Sequence, residues 1–549
     1  EEKVLEQKGP NVIFIMMDDL GYGQFGIFND TLTTQDYDPF FVKLVDSLQG
    51  YSLAKSLEFS KNAMPTLRKL STNGILFNRA FTSSSLCAPS RAGIATGTSQ
   101  NKWGLYTNMD VEKKGIEQGT HLAENLKKLQ YNTAHIGKWH IGARDRKMVV
   151  DILEAKGLDA NMKLSSIHKN YPEVAKEIRE SGYIGSVVTE HHPLNNGFDY
   201  YYGYNHWASD YYNATNVWEN FKHAGKQISY NTDTFTDKTL EFIASKKNDD
   251  HPFYIQLHYH AVHDSIEPTA PKKYLDKFKS DSHHLNNFYA HVNGVDANIK
   301  RIIDYLRENG LYENTMLVFT SDNGAMSAGS YDGHKTGSPL PGNAPFSGHK
   351  GNYYQGGIRV PLLLHWPDKI HQMGISNALV STLDILPTAI DAAGGRVPYG
   401  IDGKSLLPLF DESGPEEVRE SLIWAGIHSA AWGFMIQNST KDHGSEREHA
   451  PPAWAVIQGD YLLRFTGELE PEIYLDNMEG RAPIFELYNL KRDPAESIDL
   501  SDSIPEKVLR LARTYFKDSK DFAPPPEWKL EKWEELINSK NLLNDKIKG

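Results

Sequence analysis

The sequence predicts an α/β fold with a largely parallel main sheet and a smaller α+β subdomain appended at its C-terminal end. Three observations predict it. Short apolar runs recur with helix-like segments between them, the pattern of a parallel sheet covered by helices. Polar, chemistry-bearing residues follow several of those runs directly, as they do at the carboxyl ends of strands in open α/β sheets. After about residue 415 the texture changes to short strands separated by turn signals.

Taken in order, "NVIFIMM" (11–17) reads as a buried strand, "MPTLRKLSTNG" (64–74) as a helix closed by Gly74, and "HLAENLKKLQ" (121–130) as another helix. "NTAHI" (132–136), "FYIQLHY" (253–259), "TMLVFT" (315–320) and "PLLLHW" (361–366) are strand candidates, and residues 284–309 carry helical spacing. "SLIWAGI", "WAVIQGDYLLRFT" and "IFELYNL" supply the strands of the C-terminal unit, with a helix near 505–516. "FAPPPEW" (522–528) reads as an extended arm. The expected division is residues 1–415 and 416–549, with long polar insertions at about 28–63 and 141–196. Loops of that length inside compact domains are often functional.

Composition narrows the function. Lys and Arg number 58 against 71 Asp and Glu, a net charge of −13, which argues against a nucleic-acid binder held by phosphate contacts. A single cysteine, Cys87, excludes an intrachain disulfide framework. No apolar run is long enough to span a bilayer, and the polar start "EEKVLEQKGP" has no signal-peptide core. Composition leaves either a cytoplasmic protein or one whose leader is absent from this chain, and the expected location is the second, periplasmic or secreted.

Four strands deliver their polar residues to one edge. The run 11–17 leads into Asp18 and Asp19, "TMLVFT" into Asp322 and Asn323, "NTAHI" into Lys138 and His140, and "FYIQLHY" into His260 and His263. Three carboxylates and an amide suit a hard cation, calcium before magnesium, and zinc least because the set lacks histidine or thiolate ligands. Lys138, Lys350 in the glycine-rich "SGHKGNYYQGGIRVP", and Arg91 add positive charge at the same edge. A metal with two lysines and an arginine in an acidic protein reads as a site for a tetrahedral oxyanion. "CAPSRAGIATG" reads as a loop entering a helix, with Pro89 near the first helical position. Cys87 then sits at a helix N-terminus, where a nucleophile for an anionic ester belongs.

These residues resemble a known family. Cys87-Ala88-Pro89-Ser90-Arg91 matches the C-x-P-S-R signature of the formylglycine-dependent (type I) sulfatases of the alkaline phosphatase superfamily. "PNVIFIMMDDLGYG", "GKWH", "NNGFDYYYGY", "FTSDNGA", "KGNYYQGGIRVP" and "FELYNLKRDPAES" follow in the family's order. The resemblance covers nearly the whole chain except the two insertions and the tail. It implies an alkaline-phosphatase-like large mixed sheet flanked by helices, and a sulfuric ester hydrolase. It further implies that a formylglycine-generating enzyme oxidises Cys87 to Cα-formylglycine, whose hydrate attacks sulfur to give a covalent sulfo-enzyme.

Carried over residue by residue, Asp18, Asp19, Asp322 and Asn323 would bind one calcium ion. Arg91 and His140 would support the diol, with His140 as the base for sulfate elimination. Lys138 and Lys350 would neutralise sulfate charge, and His263 would protonate the leaving oxygen. Gln355 stands where the family has glutamate, and Ala261-Val262-His263 replaces A-P-H, which bears on the substrate-side walls. His260 receives no role. The aromatic-rich 198–218 segment, together with the insertions, favours a sulfated polysaccharide or oligosaccharide over a small aryl sulfate. The rival readings are a phosphodiesterase or phosphonate hydrolase of the same superfamily, and a non-catalytic sulfated-glycan binder with unmodified Cys87.

Overall fold

The structure is a computed structural model that describes residues 9–37, 42, 43, 46, 50–326, 338–427, 452–467, 484–526, 531 and 533–540. The polar start and the end of the "FAPPPEW" arm lie outside the described residues. So does part of the 28–63 insertion.

Ten strands form the main sheet. In chain order they are β1 (Asn11–Met17), β2 (Ile75–Phe81), β3 (Asn132–Lys138), β4 (Tyr200–Tyr204), β5 (Trp218–Glu219), β6 (Lys222–His223), β7 (Phe253–His258), β8 (Thr315–Ser321), β9 (Leu362–His365) and β10 (Gly374–Ser381). Across the sheet they run β10-β2-β9-β8-β1-β7-β3-β4-β5-β6. Only β9 and β5 run against the direction of the other eight strands. The sheet is therefore large, mixed and mostly parallel, as expected.

β1 lies at its centre and shows why. Val12, Phe14 and Met16 enter the core on one face, and Ile13, Ile15 and Met17 enter the core on the other. A strand buried on both faces reads as a continuous apolar run. The first face is covered by the helices Cys87–Thr96, Leu122–Lys128 and Ile385–Ala392. The second is covered by Leu53–Ala63, Asn231–Lys246 and the long His283–Glu308 helix, whose N-cap Ser282 accepts from Leu285 N–H. The 141–196 insertion is a unit of its own. Its helices Arg146–Ala155, Leu164–Asn170 and Pro172–Glu180 close a small core of Val149, Leu153, Ile167, Ala175, Ile178 and Tyr183.

The second sheet is antiparallel, in the order β11 (Ser421–Ile427), β12 (Pro452–Gln458), β13 (Tyr461–Thr466) and β14 (Ile484–Asn489). One face packs on the helix Pro505–Asp518, where Trp454 stacks on Tyr515 at 4.2 Å. Trp424, Ala455 and Leu462 on the other face meet Phe81, Tyr353 and Ile358 of the main unit. The Trp424 indole N–H donates to the Thr82 carbonyl at 2.7 Å, and Asn101 donates to the Ala425 carbonyl at 3.1 Å. The second sheet thus braces the loop that leads to Cys87. Among the described residues no helix is long and apolar enough to cross a membrane.

Candidate active site

The four central strands β8, β1, β7 and β3 are adjacent and parallel. Whatever follows them in sequence converges at one edge. Asp18 and Asp19 follow β1, Asp322 and Asn323 follow β8, His263 lies past β7, and Lys138 ends β3 with His140 two residues on. Gly137 permits this crowding, because a Cβ there would sit 1.8 Å from the His258 carbonyl oxygen of β7. Asp19 and His140 take left-handed backbone angles, φ 60° and 55°. Such residues cost about 1–3 kcal/mol each and cluster where a side chain must be aimed.

Cys87 is the first residue of the helix Cys87–Thr96, with Leu86 as N-cap. Pro89 falls third, still in the first turn, where its missing N–H removes no helical bond. The Cys87 Sγ lies 3.8 Å from Asp18 Oδ1 and 3.9 Å from Asp19 Oδ1. Burial pushes the thiol up to about 12, against the pull of Lys138 and Lys350.

The ten expected residues are all buried, none more than 6% exposed. Lys138 Nζ donates to Asp18 Oδ2 at 2.6 Å. Lys350 Nζ lies 2.7 Å from Asp19 Oδ1. Arg91 donates to Asp322 Oδ2 from Nε at 3.0 Å and Nη2 at 2.8 Å, and to the Lys138 carbonyl at 3.1 Å. Three carboxylates thus face three cations, so the cluster is neutral as it stands. Buried charges persist only when paired in this way. Burial would raise the Asp18 carboxyl, but Lys138, His263, Arg91 and Lys350 hold it well below its ordinary value. Burial and the neighbouring Asp18 push Asp322 up to about 6.

The oxygen donors fit a hard cation, and the structure adds two donors that the sequence reading left out of the set, a cysteine sulfur and an imidazole nitrogen. One oxygen each from Asp18 and Asp19, with Cys87 Sγ and a His263 nitrogen, lie within 4.8 Å of one another. Asn323 Nδ2 donates to Asp19 Oδ1 at 2.7 Å, while Asn323 Oδ1 is buried without a partner. A buried acceptor without a partner beside carboxylates is a donor that a cation would use. Asp322 binds into the same cluster through its Oδ1, which accepts from Asp19 N–H at 3.1 Å.

The two histidines differ. His263 Nδ1 is 2.6 Å from the Asp264 carbonyl oxygen, which can only accept, so the ring proton sits on Nδ1. Nε2 is then the open nitrogen, 3.7 Å from Asp19 Oδ2. Burial lowers His263 to about 4 against Asp18 and Asp19. His140 Nε2 lies 3.4 Å from Glu112 Oε1, and its Nδ1 is buried with no partner. Burial lowers His140 to about 3, opposed by Glu112. His260 packs behind them, its Nδ1 3.0 Å from the Tyr204 hydroxyl.

Two contacts escaped the sequence. Glu112, on the polar helix Asn108–Lys114, reaches His140, and Arg144, at the start of the insertion, donates to Glu112 Oε2 at 2.8 Å. Although burial opposes it, the hydrogen bond and charge of His140, with Arg144, hold Glu112 down at about 2. No local pattern marks either residue. The only signal was that the insertion follows directly on "GKWH".

Carboxylates, lysines, an arginine and imidazoles gathered around a helix N-terminus at the carboxyl edge of a parallel sheet define a class: a hydrolase of oxyanion esters. Comparison with known proteins specifies it further. Residues 10–395 match the family model described as Sulfatase. The chain is 31% identical over 424 residues to the sulfatase YdeN of Escherichia coli K12, covering 76% of this chain and 69% of that protein. It is 26% identical to a sulfatase of Formosa agariphila, over 92% of this chain and 86% of the other. A crystal structure of Ps i-CgsB in complex with k-i-k-neocarrahexaose superposes with a TM-score of 0.65 at 22% identity, covering 97% of this chain and 98% of the other. The chain belongs to the sulfatase family and is a sulfuric ester hydrolase.

Proposed function

We propose that this protein removes sulfate from a sulfated carbohydrate, a polysaccharide or oligosaccharide, with a nucleophile derived from Cys87. The observation that carries the reading is the setting of Cys87. It is a buried thiol at a helix N-terminus, surrounded by three carboxylates, three cations and an orphaned amide oxygen. As formylglycine this position would supply a hydrated aldehyde, whose hydroxyl is the nucleophile that the thiol is not. The bound oligosaccharide of the Ps i-CgsB structure favours a sugar substrate.

In this reading Asp18, Asp19, Asp322 and Asn323 would hold calcium, which would supply positive charge to stabilise the anionic transition state. Lys138 and Lys350 take up charge that develops on sulfate in the transition state. Arg91 and His140 hold the nucleophile's oxygens. The unpartnered His140 Nδ1 is the base for release of sulfate, with Glu112 fixing the ring through Nε2. His263 would act as imidazolium: the second proton, taken up on Nε2 beside Asp19, goes to the departing sugar oxygen and leaves the neutral Nδ1–H ring. Residues 1–415 form the catalytic unit and 416–549 the unit that braces it.

The test is sulfate release from a carrageenan hexasaccharide, galactose 6-sulfate and glucosamine 2-N,6-O-disulfate, with phosphate esters in parallel. The protein should be co-expressed with a formylglycine-generating enzyme. Release is expected from at least one sulfated sugar. Mass spectrometry of the peptide around Cys87 should show aldehyde in place of thiol, and Cys87→Ala should fold and be inactive. Full activity in Cys87→Ala, or preference for phosphate esters, would overturn the proposal.

A further inference from the structure

We infer that Trp207 is the platform on which the sugar ring carrying the scissile sulfate stacks. The inference rests on the sulfated-carbohydrate reading and gives it a specific residue. The segment 198–218 is dense in rings, and most of them are structural. Tyr201, Tyr202, Tyr204 and Tyr211 are each at most 2% exposed. Trp207 stands apart at 49%.

Its place is fixed by the site itself. The Lys138 ammonium, which donates to Asp18 at 2.6 Å, also donates to the Trp207 carbonyl at 2.6 Å. The indole lies 5.9 Å from the His263 ring, tilted at 45°, and 5.0 Å from His206. The most exposed indole face of this segment therefore adjoins the proposed acid. Its backbone is tied to a lysine that would neutralise sulfate.

The chemistry of the ligand follows from that placement. A sulfate group belongs among the buried cations, and its ester oxygen belongs beside His263 Nε2. The carbon skeleton bonded to that oxygen then has to lie just outside, over the indole. A pyranose ring presents an apolar C–H face and a rim of hydroxyls. An indole offers a large rigid apolar surface with one polar edge, which complements it at little conformational cost.

The experiment separates the sugar contact from the sulfate contact. KM and kcat are measured on whichever of the sulfated sugars above is hydrolysed, and inorganic sulfate is used as a competitive product inhibitor. Trp207→Ala should raise KM for the sugar about tenfold, the change that ~1.4 kcal/mol produces, with a smaller effect on kcat. Trp207→Phe should recover most of the loss. The inhibition constant of inorganic sulfate should stay within about twofold of wild type, since sulfate alone does not reach the indole. An unchanged sugar KM in Trp207→Ala, while wild type releases sulfate, would overturn this inference and leave the functional reading standing. A parallel rise in the sulfate inhibition constant would make Trp207 a support for Lys138 and also overturn it. No release from any sulfated sugar by wild type would overturn the functional reading, and this inference with it.

Discussion

Replacing His263 by alanine should separate leaving groups. The Nδ1 contact with the Asp264 carbonyl leaves Nε2 as the one nitrogen able to serve a departing oxygen. A sugar alkoxide needs a proton as the S–O bond breaks, whereas an activated phenolate leaves largely unaided. General-acid assistance is typically worth about 10²–10⁴ in rate, or ~2.7–5.4 kcal/mol of barrier. The fold should hardly register the change. Asp19 keeps Lys350 at 2.7 Å and Asn323 at 2.7 Å, so no buried charge loses its last partner. His263→Ala should therefore lose about 10²–10⁴ in kcat on a sulfated sugar and much less on 4-nitrophenyl sulfate, both followed by steady-state kinetics. His140→Ala provides the contrast. Its loss should be similar on both substrates, and the intact protein should carry a retained sulfuryl group visible by mass spectrometry. Equal losses on both substrates for His263→Ala, without retained sulfuryl, would make His263 a sulfate-binding group and refute its role as acid.

Two further outcomes follow from the paired charges. Calcium at about a hundred times its Kd should stabilise the chelator-treated protein by ~2.7 kcal/mol in a thermal-shift assay, and Asn323→Ala should lose most of that shift. Because the six charged side chains already balance, calcium and sulfate together should shift the midpoint by more than the sum of each alone. Stabilisation by zinc and not calcium would count against the oxygen-donor reading. Arg91→Met strips Asp322 of its two-point guanidinium partner and should cost about 3–5 kcal/mol by urea unfolding in chelator. Arg91→Met with Asp322→Asn should cost less than the two singles added; strict additivity would show that the pair is not coupled.

Much of the site was legible because its residues abut strand ends in sequence. Asp18–Asp19, Lys138 and Asp322–Asn323 needed only the inference that their strands are parallel neighbours, and apolar runs buried on both faces carry that inference. Strands with one open face were harder to see. β2, "ILFNRAF", sets Asn78 and Arg79 in mid-strand, and β10, "GISNALVS", is half exposed along its first half. Neither was legible as a strand. Glu112 and Arg144 were missed because their link to His140 exists only once a separate helix and the insertion fold over the edge. Exposure likewise belongs to the tertiary structure. Nothing in "YYYGYNHW" distinguishes the one indole left open from the tyrosines beside it.

The indole clamp between Trp424 and the Thr82 carbonyl has a consequence for biogenesis. Thr82 also donates to the Asp322 carbonyl at 2.8 Å, so a strand made late in translation locks the approach to a cysteine made early. Cys87 is 1% exposed once that lock is in place. If Cys87 is matured as proposed, the modifying enzyme has to reach its thiol while the downstream half of the chain is still unmade or unfolded. On that reading maturation would be a race between an enzyme and a closing fold. Chains that folded first would then be stable, properly shaped and inactive, beyond rescue by the enzyme without unfolding.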